Sequence, residues 1–172
     1  SDGKERIREG ARKGTEILAS SANIGPAVVG AHALRPLNAK QKAAWRPTVA
    51  RLQILSELIN QYGLGTSSGI MAPAVMKFAQ DNACFTHSNG EVRDATKELT
   101  VAVQKHTGTA AIEPYLRDLR QKQREEYEYA FDGGTGPMKR KAEGKTSQPK
   151  FDPPSPRHAG AKGGGSPYSP AK

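Results

Sequence analysis

The sequence predicts an all-α protein in which three helical hairpins stack as a solenoid and a charged capping helix follows them. Apolar residues recur at helical spacing through residues 1–132, as Leu52, Leu55 and Ile59 illustrate. No alternating run of β-branched and aromatic residues stands between turn signals, so strands are not expected. We therefore interpret residues 1–132 as a helical repeat domain.

Turn signals set the order of the predicted helices. Pro26 and Pro73 stand early in a predicted helix, where a missing backbone N–H is tolerated. Gly63 and Gly108 mark the ends of two predicted helices. The predicted helices cover, in order, residues 2–20, 24–34, 39–62, 70–83, 88–106, 109–119 and a final charged stretch that reaches 131. Each long helix is followed by a shorter one, which gives three hairpins and a cap.

The beginnings of the three long helices resemble one another. Each has an apolar residue followed by arginine, and the separations are 38 and 47 residues. The three pairs are Ile7-Arg8, Trp45-Arg46 and Val92-Arg93. A helix-pair repeat of about 40–47 residues is typical of HEAT or armadillo solenoids. The alignment favours a core role for Trp45, and the loops within hairpins are expected to share one edge that binds a partner protein.

Residues 133–172 are predicted to form a disordered basic tail. They contain seven apolar residues among 40, with eight glycines and seven prolines. So little apolar surface cannot offset the roughly 1–2 kcal/mol per residue that backbone ordering costs. The tail carries +6 of the formal net charge of +9, with Lys139, Arg140 and Lys141 as its densest cluster. The predicted helical domain is therefore nearly balanced in charge.

Several classes of protein are excluded or disfavoured. No run approaches the roughly 20 apolar residues of a membrane helix, and no signal peptide is recognisable. A single cysteine, Cys84, indicates a reducing compartment. Nucleic acid is a disfavoured partner for the basic tail, because Phe151 and Tyr168 are its only aromatic residues for base stacking.

Two local patterns suggest a chemical site, and both have a simpler explanation. Cys84 and His87 have C-x-x-H spacing, but a zinc site needs four ligands and no second pair follows, so a buried thiol is favoured. The glycine-rich segment 63–69 lacks the Lys-Ser/Thr of a phosphate loop and is interpreted as an interhelical turn. Without a recognisable catalytic arrangement, we expect no enzyme, metal or cofactor.

Several segments occur in an order that resembles a known family. They read WRPTVARLQILSELINQYGLGTSSGI, VMKFAQDN and EVRDATKEL, followed by PYL and YEYAFDG. This order resembles the C-terminal half of the TOG domain in the family of the centrosomal protein of 104 kDa, a ciliary-tip protein, over about 45–132 and less closely over 1–38. The resemblance implies the last three of six HEAT repeats, and we expect the chain to be part of a longer domain.

The family also implies a function and a set of contacts. TOG domains bind the tubulin dimer through their intra-repeat loops, which correspond here to residues 20–23, 63–69 and 107–109. The resemblance implies a non-enzymatic tubulin- or microtubule-binding protein of the cilium or flagellum tip, axoneme or centriole, with other ciliary-tip or axonemal proteins as companions. The predicted partner-binding residues are Asn23, Lys105, His106, Lys139, Arg140 and Lys141. The alternatives are a HEAT scaffold that does not bind tubulin and a basic nucleic-acid-associated protein.

Overall fold

The computed structural model of the chain describes residues 2–134. The predicted disordered tail therefore lies outside the described residues apart from Gly133 and Gly134, and so do Lys139, Arg140 and Lys141. The helices are α1 (Asp2–Ser20), α2 (Gly25–Ala33), α3 (Ala39–Ala43), α4 (Trp45–Tyr62), α5 (Ala72–Asp81), α6 (Gly90–Thr107), α7 (Glu113–Leu116) and α8 (Gln121–Phe131). Short 3-10 turns occupy Cys84–Thr86 and Thr109–Ala111.

The helices stack in chain order, as the repeat pattern predicts. Helix α1 packs on α2, α2 on α4, α4 on α6, and α6 on α8. Over residues 2–134 there is no strand, only an isolated bridge between Gly65 and Ile70. This confirms the all-α, HEAT-like solenoid. None of the helices in this range combines the length and apolar character that a membrane crossing requires.

The core is densest where α4 meets α6. Helix α4 contributes the fully buried Leu52, Leu55 and Ile59. Helix α6 contributes the fully buried Val92, Leu99 and Val103. Two polar side chains of α6 are also buried, but the hydroxyl of Thr96 donates to the carbonyl of Val92 at 2.6 Å and that of Thr100 to the carbonyl of Thr96 at 2.7 Å. Because both hydroxyls are paired, their burial leaves no unmet hydrogen bond.

The predicted single helix over 39–62 is wrong, because the structure divides it into α3 and α4. Ala44 between them is extended, with φ −108° and ψ 116°. In a continuous helix the ring of Pro47 would clash with the carbonyl of Ala43, four residues earlier. The break instead places Pro47 in the first turn of α4. Asn38 begins α3 with a capping box, in which it and Gln41 each accept the other's backbone N–H at 2.9 and 3.1 Å.

The predicted helix over 109–119 is also wrong in length. The structure has a 3-10 turn at Thr109–Ala111 and the single-turn α7. Pro114 explains the interruption, because a continuous helix would press its ring against the carbonyl of Ala110. The capping helix is confirmed as α8, which packs on α6. Its buried Tyr127 has its ring centroid 6.1 Å from that of Phe85, which anchors α8 to the core.

The proposed equivalence of Ile7, Trp45 and Val92 fails at the first repeat. Val92 is fully buried, Trp45 is half-buried and packs at the margin of the core, and Ile7 is 73% exposed. Trp45 is covered instead by the guanidinium of Arg46, 4.7 Å from its ring centroid. Helix α1 turns a different side towards its neighbours, as the ion pair of Arg12 with Glu57 and the burial of Ala19 show. This orientation leaves Ile7 facing outwards.

Two valines test whether the α4–α6 contact holds the fold together. Val92→Ala removes fully buried methyl groups and should lower the free energy of unfolding by about 2 kcal/mol. Val28→Ala makes the same chemical change at a side chain that is 46% exposed, and it should cost much less. Urea titration followed by circular dichroism measures both. Equal losses in the two variants would contradict this account of the core.

Candidate functional site

The connections within the hairpins adjoin one another through their neighbouring residues, and we call them together the loop edge. They are residues 21–24 between α1 and α2, 63–71 between α4 and α5, and 108–112 after α6. The middle loop touches its neighbours on both sides. Gly69 lies against Ala27 of α2, so closely that a Cβ on Gly69 would stand 2.5 Å from the Cβ of Ala27. On the other side, a Cβ on Gly63 would stand 3.6 Å from the ring of His106.

The middle loop is held in place by its own hydrogen bonds and by one buried side chain. The N–H of Gly65 donates to the carbonyl of Ile70 at 2.9 Å. The hydroxyl of Ser68 donates to the carbonyl of Gly65 at 3.3 Å and accepts from the N–H of Ile70 at 3.4 Å. Ile70 is fully buried and contacts Gly30 of α2. The glycine-rich segment is therefore an ordered interhelical turn.

The structure places three of the predicted contact residues on this edge. Asn23 is exposed in the first loop, and Lys105 and His106 are exposed in the last turn of α6. The middle loop lies between them. Two basic side chains at a helix C-terminus complement the partial negative charge of that end. A partner at this edge would therefore meet hydrogen-bonding groups at one end and basic side chains at the other.

Exposed apolar side chains on the same edge were missed by the sequence analysis. Ile24 and Met71 stand immediately before α2 and α5 and are 37% and 49% exposed. Both occupy the N-cap position, and neither makes a side-chain capping bond. The sequence held a signal for these two residues, because an apolar residue is unusual at an N-cap. That position is usually Ser, Thr, Asp or Asn, whose side chain accepts a backbone hydrogen bond. Val28, one turn into α2, adds a third exposed apolar side chain.

Cys84 and His87 lie away from this edge, at the connection between α5 and α6. Cys84 is completely buried, as the thiol interpretation predicts, and its burial raises the pKa of the thiol to about 11. His87 is engaged locally, since its Nδ1 accepts the N–H of Asn89 at 3.1 Å. In the described part of the chain no three His, Cys, Asp or Glu residues gather as a metal site would require.

The fold and the adjoining hairpin connections define a HEAT-type solenoid, and comparison with known families shows which family it belongs to. The family described as the XMAP215/Dis1/CLASP TOG domain matches residues 8–131. The chain therefore belongs to this family, which implies tubulin or microtubule binding in general, on a fold that is not catalytic. Comparison with curated proteins and with solved structures gives no match.

The close approach of Gly69 to Ala27 can be tested by a double-mutant cycle. Gly69→Ala adds a methyl group at φ +69°, against the Cβ of Ala27, and should destabilise the fold by about 1–3 kcal/mol. Ala27→Gly removes the atom that the new methyl meets, so the double variant should be more stable than the sum of the single losses predicts. Unfolding free energies of the four proteins give the coupling. Strict additivity would mean that the loop does not rest on α2.

The buried thiol predicts a dependence of stability on alkaline pH. The pKa of Cys84 is raised from 9.0 to about 11 in the folded protein, so the unfolded chain loses this proton first. The stabilising contribution is complete below pH 9 and is lost as pH rises through 11, by about 2.7 kcal/mol in all for a shift of this size. Cys84→Ala should therefore show a shallower decline over that range. Identical slopes for the two proteins would rule out this contribution.

Proposed function

We propose that this chain binds tubulin or the microtubule through the loop edge and acts at the tip of a cilium or flagellum, in the axoneme or at the centriole. The observation that carries the proposal is the contact of the middle hairpin loop with α2 on one side and with the end of α6 on the other, in a chain that belongs to the TOG family. Other ciliary-tip or axonemal proteins would be its companions at that location. The ciliary location rests on the resemblance of residues 45–132 to the ciliary-tip family.

The edge has the composition of a protein-binding surface. Protein interfaces concentrate their binding energy in a few large apolar or aromatic side chains and in arginine, surrounded by polar groups. Met71 and Ile24 supply exposed apolar contacts here, and Lys105 and Asn23 supply polar ones. The hydrogen bonds of the middle loop hold it in place before binding, which reduces the entropy that binding must overcome. Lys105 and His106 would face the acidic outer surface of tubulin.

The second part of the proposal concerns residues 133–172, which we assign to a basic tail separate from the helical domain of 1–132. Their excess of six positive charges would attract an acidic surface without fixed geometry. Lys139, Arg140 and Lys141 form the densest part of this charge. Such an attraction raises the rate of encounter and weakens as salt screens it over about 10 Å at 0.1 M.

Binding of the full chain to tubulin can be measured by gel filtration with soluble tubulin and by co-sedimentation with microtubules. Met71→Glu should weaken binding by about 1–2 kcal/mol, roughly five- to thirtyfold, because it places a charge among apolar contacts. Lys105→Glu should weaken binding mainly at low salt. Gln80→Glu and Lys40→Glu make matched changes at exposed positions away from the edge and should leave binding unchanged.

The tail is tested in the same assays by replacing Lys139, Arg140 and Lys141 with glutamine. This variant should bind tubulin less tightly at low salt and should show a smaller dependence on salt than the unaltered chain. Failure of the full chain to associate with tubulin or microtubules at low salt would refute the proposal and favour a HEAT scaffold for another protein. Equal binding to duplex DNA, lost with the tail charges, would favour the nucleic-acid alternative.

A further inference from the structure

The chain between the first and second hairpins is strongly basic. From Glu16 to Glu57 there are five basic residues and no acidic residue in between, a net charge of +5. Residues 57–132 carry eight basic and eleven acidic side chains, a net charge of −3. Charge divided this unevenly within one domain gives one part of its surface an affinity for anionic partners. Four of the basic residues stand close together, and we call them the basic corner: Arg35, Lys40, Lys42 and Arg46.

The charges of the basic corner are available to a partner. All four side chains are exposed, and none forms an ion pair with a side chain that the structure describes. Other exposed charges are paired, as Lys13 is with Glu9 and Lys77 is with Asp81, each at 3.0 Å. Like charges that stand close together repel one another in the free protein, and an anionic partner would relieve that repulsion.

The backbone beneath the basic corner is held in place by hydrogen bonds. Arg51 of α4 donates through its Nη1 to the carbonyl of Arg35 and, at 3.5 Å, to the carbonyl of Ala33. These bonds tie the end of α2 to α4. The capping box at the start of α3 fixes the short helix that carries Lys40 and Lys42. A partner would therefore meet charges whose backbone positions are set before binding, which reduces the entropy that binding must overcome.

A cleft of about 210 Å³ opens beside the basic corner, where the connection after α2 faces the connection after α5. Lys42, Thr48 and His87 are among the residues that line it. Asp81 also lines the cleft, but its carboxylate is balanced by the ammonium of Lys77. Most small-molecule sites measure roughly 300–1,000 Å³, so this cleft is better suited to a side chain of a longer chain that continues across the surface.

The basic corner is less suited to nucleic acid or to a membrane than to an acidic peptide. Trp45 packs at the margin of the core and carries the guanidinium of Arg46 over its ring, so it offers no open face for stacking with a base. Among the described side chains of residues 34–48 no large apolar one is exposed, whereas surfaces that bind membranes insert such side chains between lipids. An acidic peptide needs neither feature.

We propose that the basic corner is a docking surface for an acidic, extended segment of a partner protein. Carboxylates of the segment lie beside the exposed basic side chains, and one of its side chains enters the cleft. The cleft lies at the start of α4, and the middle loop of the loop edge follows the other end of this helix, roughly 20 Å away. Both surfaces can therefore be occupied together. Docking at the basic corner does not depend on tubulin binding by the loop edge.

The fluorescence of Trp45 tests the proposal in the full chain. Trp45 is the only tryptophan and lies against Arg46, so its emission reports on the basic corner and not on the basic residues of 133–172. A short polyglutamate peptide should change this emission in a saturable manner, and the affinity should fall as salt is added. A Gly-Ser peptide of the same length should have no effect. An emission that polyglutamate does not change, or that both peptides change equally, would overturn the proposal.

Two variants with the same net charge separate the basic corner from a general attraction. One variant carries Arg35→Gln, Lys40→Gln and Lys42→Gln, and the matched control carries Arg117→Gln, Arg120→Gln and Lys122→Gln, all at exposed positions. The first should bind polyglutamate about tenfold more weakly at low salt, because several individually weak ion pairs are lost together. The control should bind as the unaltered chain does. Equal weakening in both variants, with both shown to be folded by circular dichroism, would contradict docking at the corner.

Duplex DNA and phosphatidylserine vesicles, titrated in the same way, test the choice of partner. Each should change the Trp45 emission only at higher concentrations than polyglutamate does, compared per negative charge. A tighter response to DNA would reassign the basic corner to nucleic acid, and a tighter response to vesicles would reassign it to a membrane surface. Neither result would bear on tubulin binding, which the loop-edge variants Met71→Glu and Lys105→Glu measure separately.

Discussion

The packing of α4 against α6 is the contact on which the rest of the described structure depends. Fully buried aliphatic side chains from both helices, such as Leu55 and Leu99, meet at this interface. Helix α2 packs on α4 from one side and α8 packs on α6 from the other, so each outer element takes its position from the central pair. The same contact sets the relative positions of two loops of the loop edge, since these loops follow the ends of α4 and α6.

Proline decides where the repeats depart from regular helices. Pro26 and Pro73 stand in the first turns of α2 and α5, where a backbone N–H would have no acceptor within the helix. Pro47 and Pro114 have the same effect within longer helical patterns, and each divides one predicted helix into two shorter elements. The apolar periodicity continues across both breaks and so does not reveal them, although the clash with a carbonyl four residues earlier is a local property of the sequence.

The loop edge depends on close approaches between residues that are distant in sequence. Gly69 reaches α2 at Ala27, and Gly63 reaches the ring of His106 at the end of α6. These contacts join three separate loops into one surface, on which Lys105 and Met71 are exposed. TOG membership implies tubulin or microtubule binding in general, and this surface is the part of the described structure to which we assign that binding.

The sequence by itself determined the all-α class, the order of the hairpins and the capping helix, because helical periodicity and turn residues such as Gly63 act over a few neighbouring positions. It also pointed to Asn23 and Lys105, which the structure exposes in the first hairpin connection and in the last turn of α6. Only the tertiary structure decided which side of each helix is buried. Ile7 and Val92 begin similar patterns, yet one is exposed and the other is fully buried. Burial depends on which elements pack together, and α1 meets α4 through Arg12 and Glu57, a contact between residues 45 positions apart.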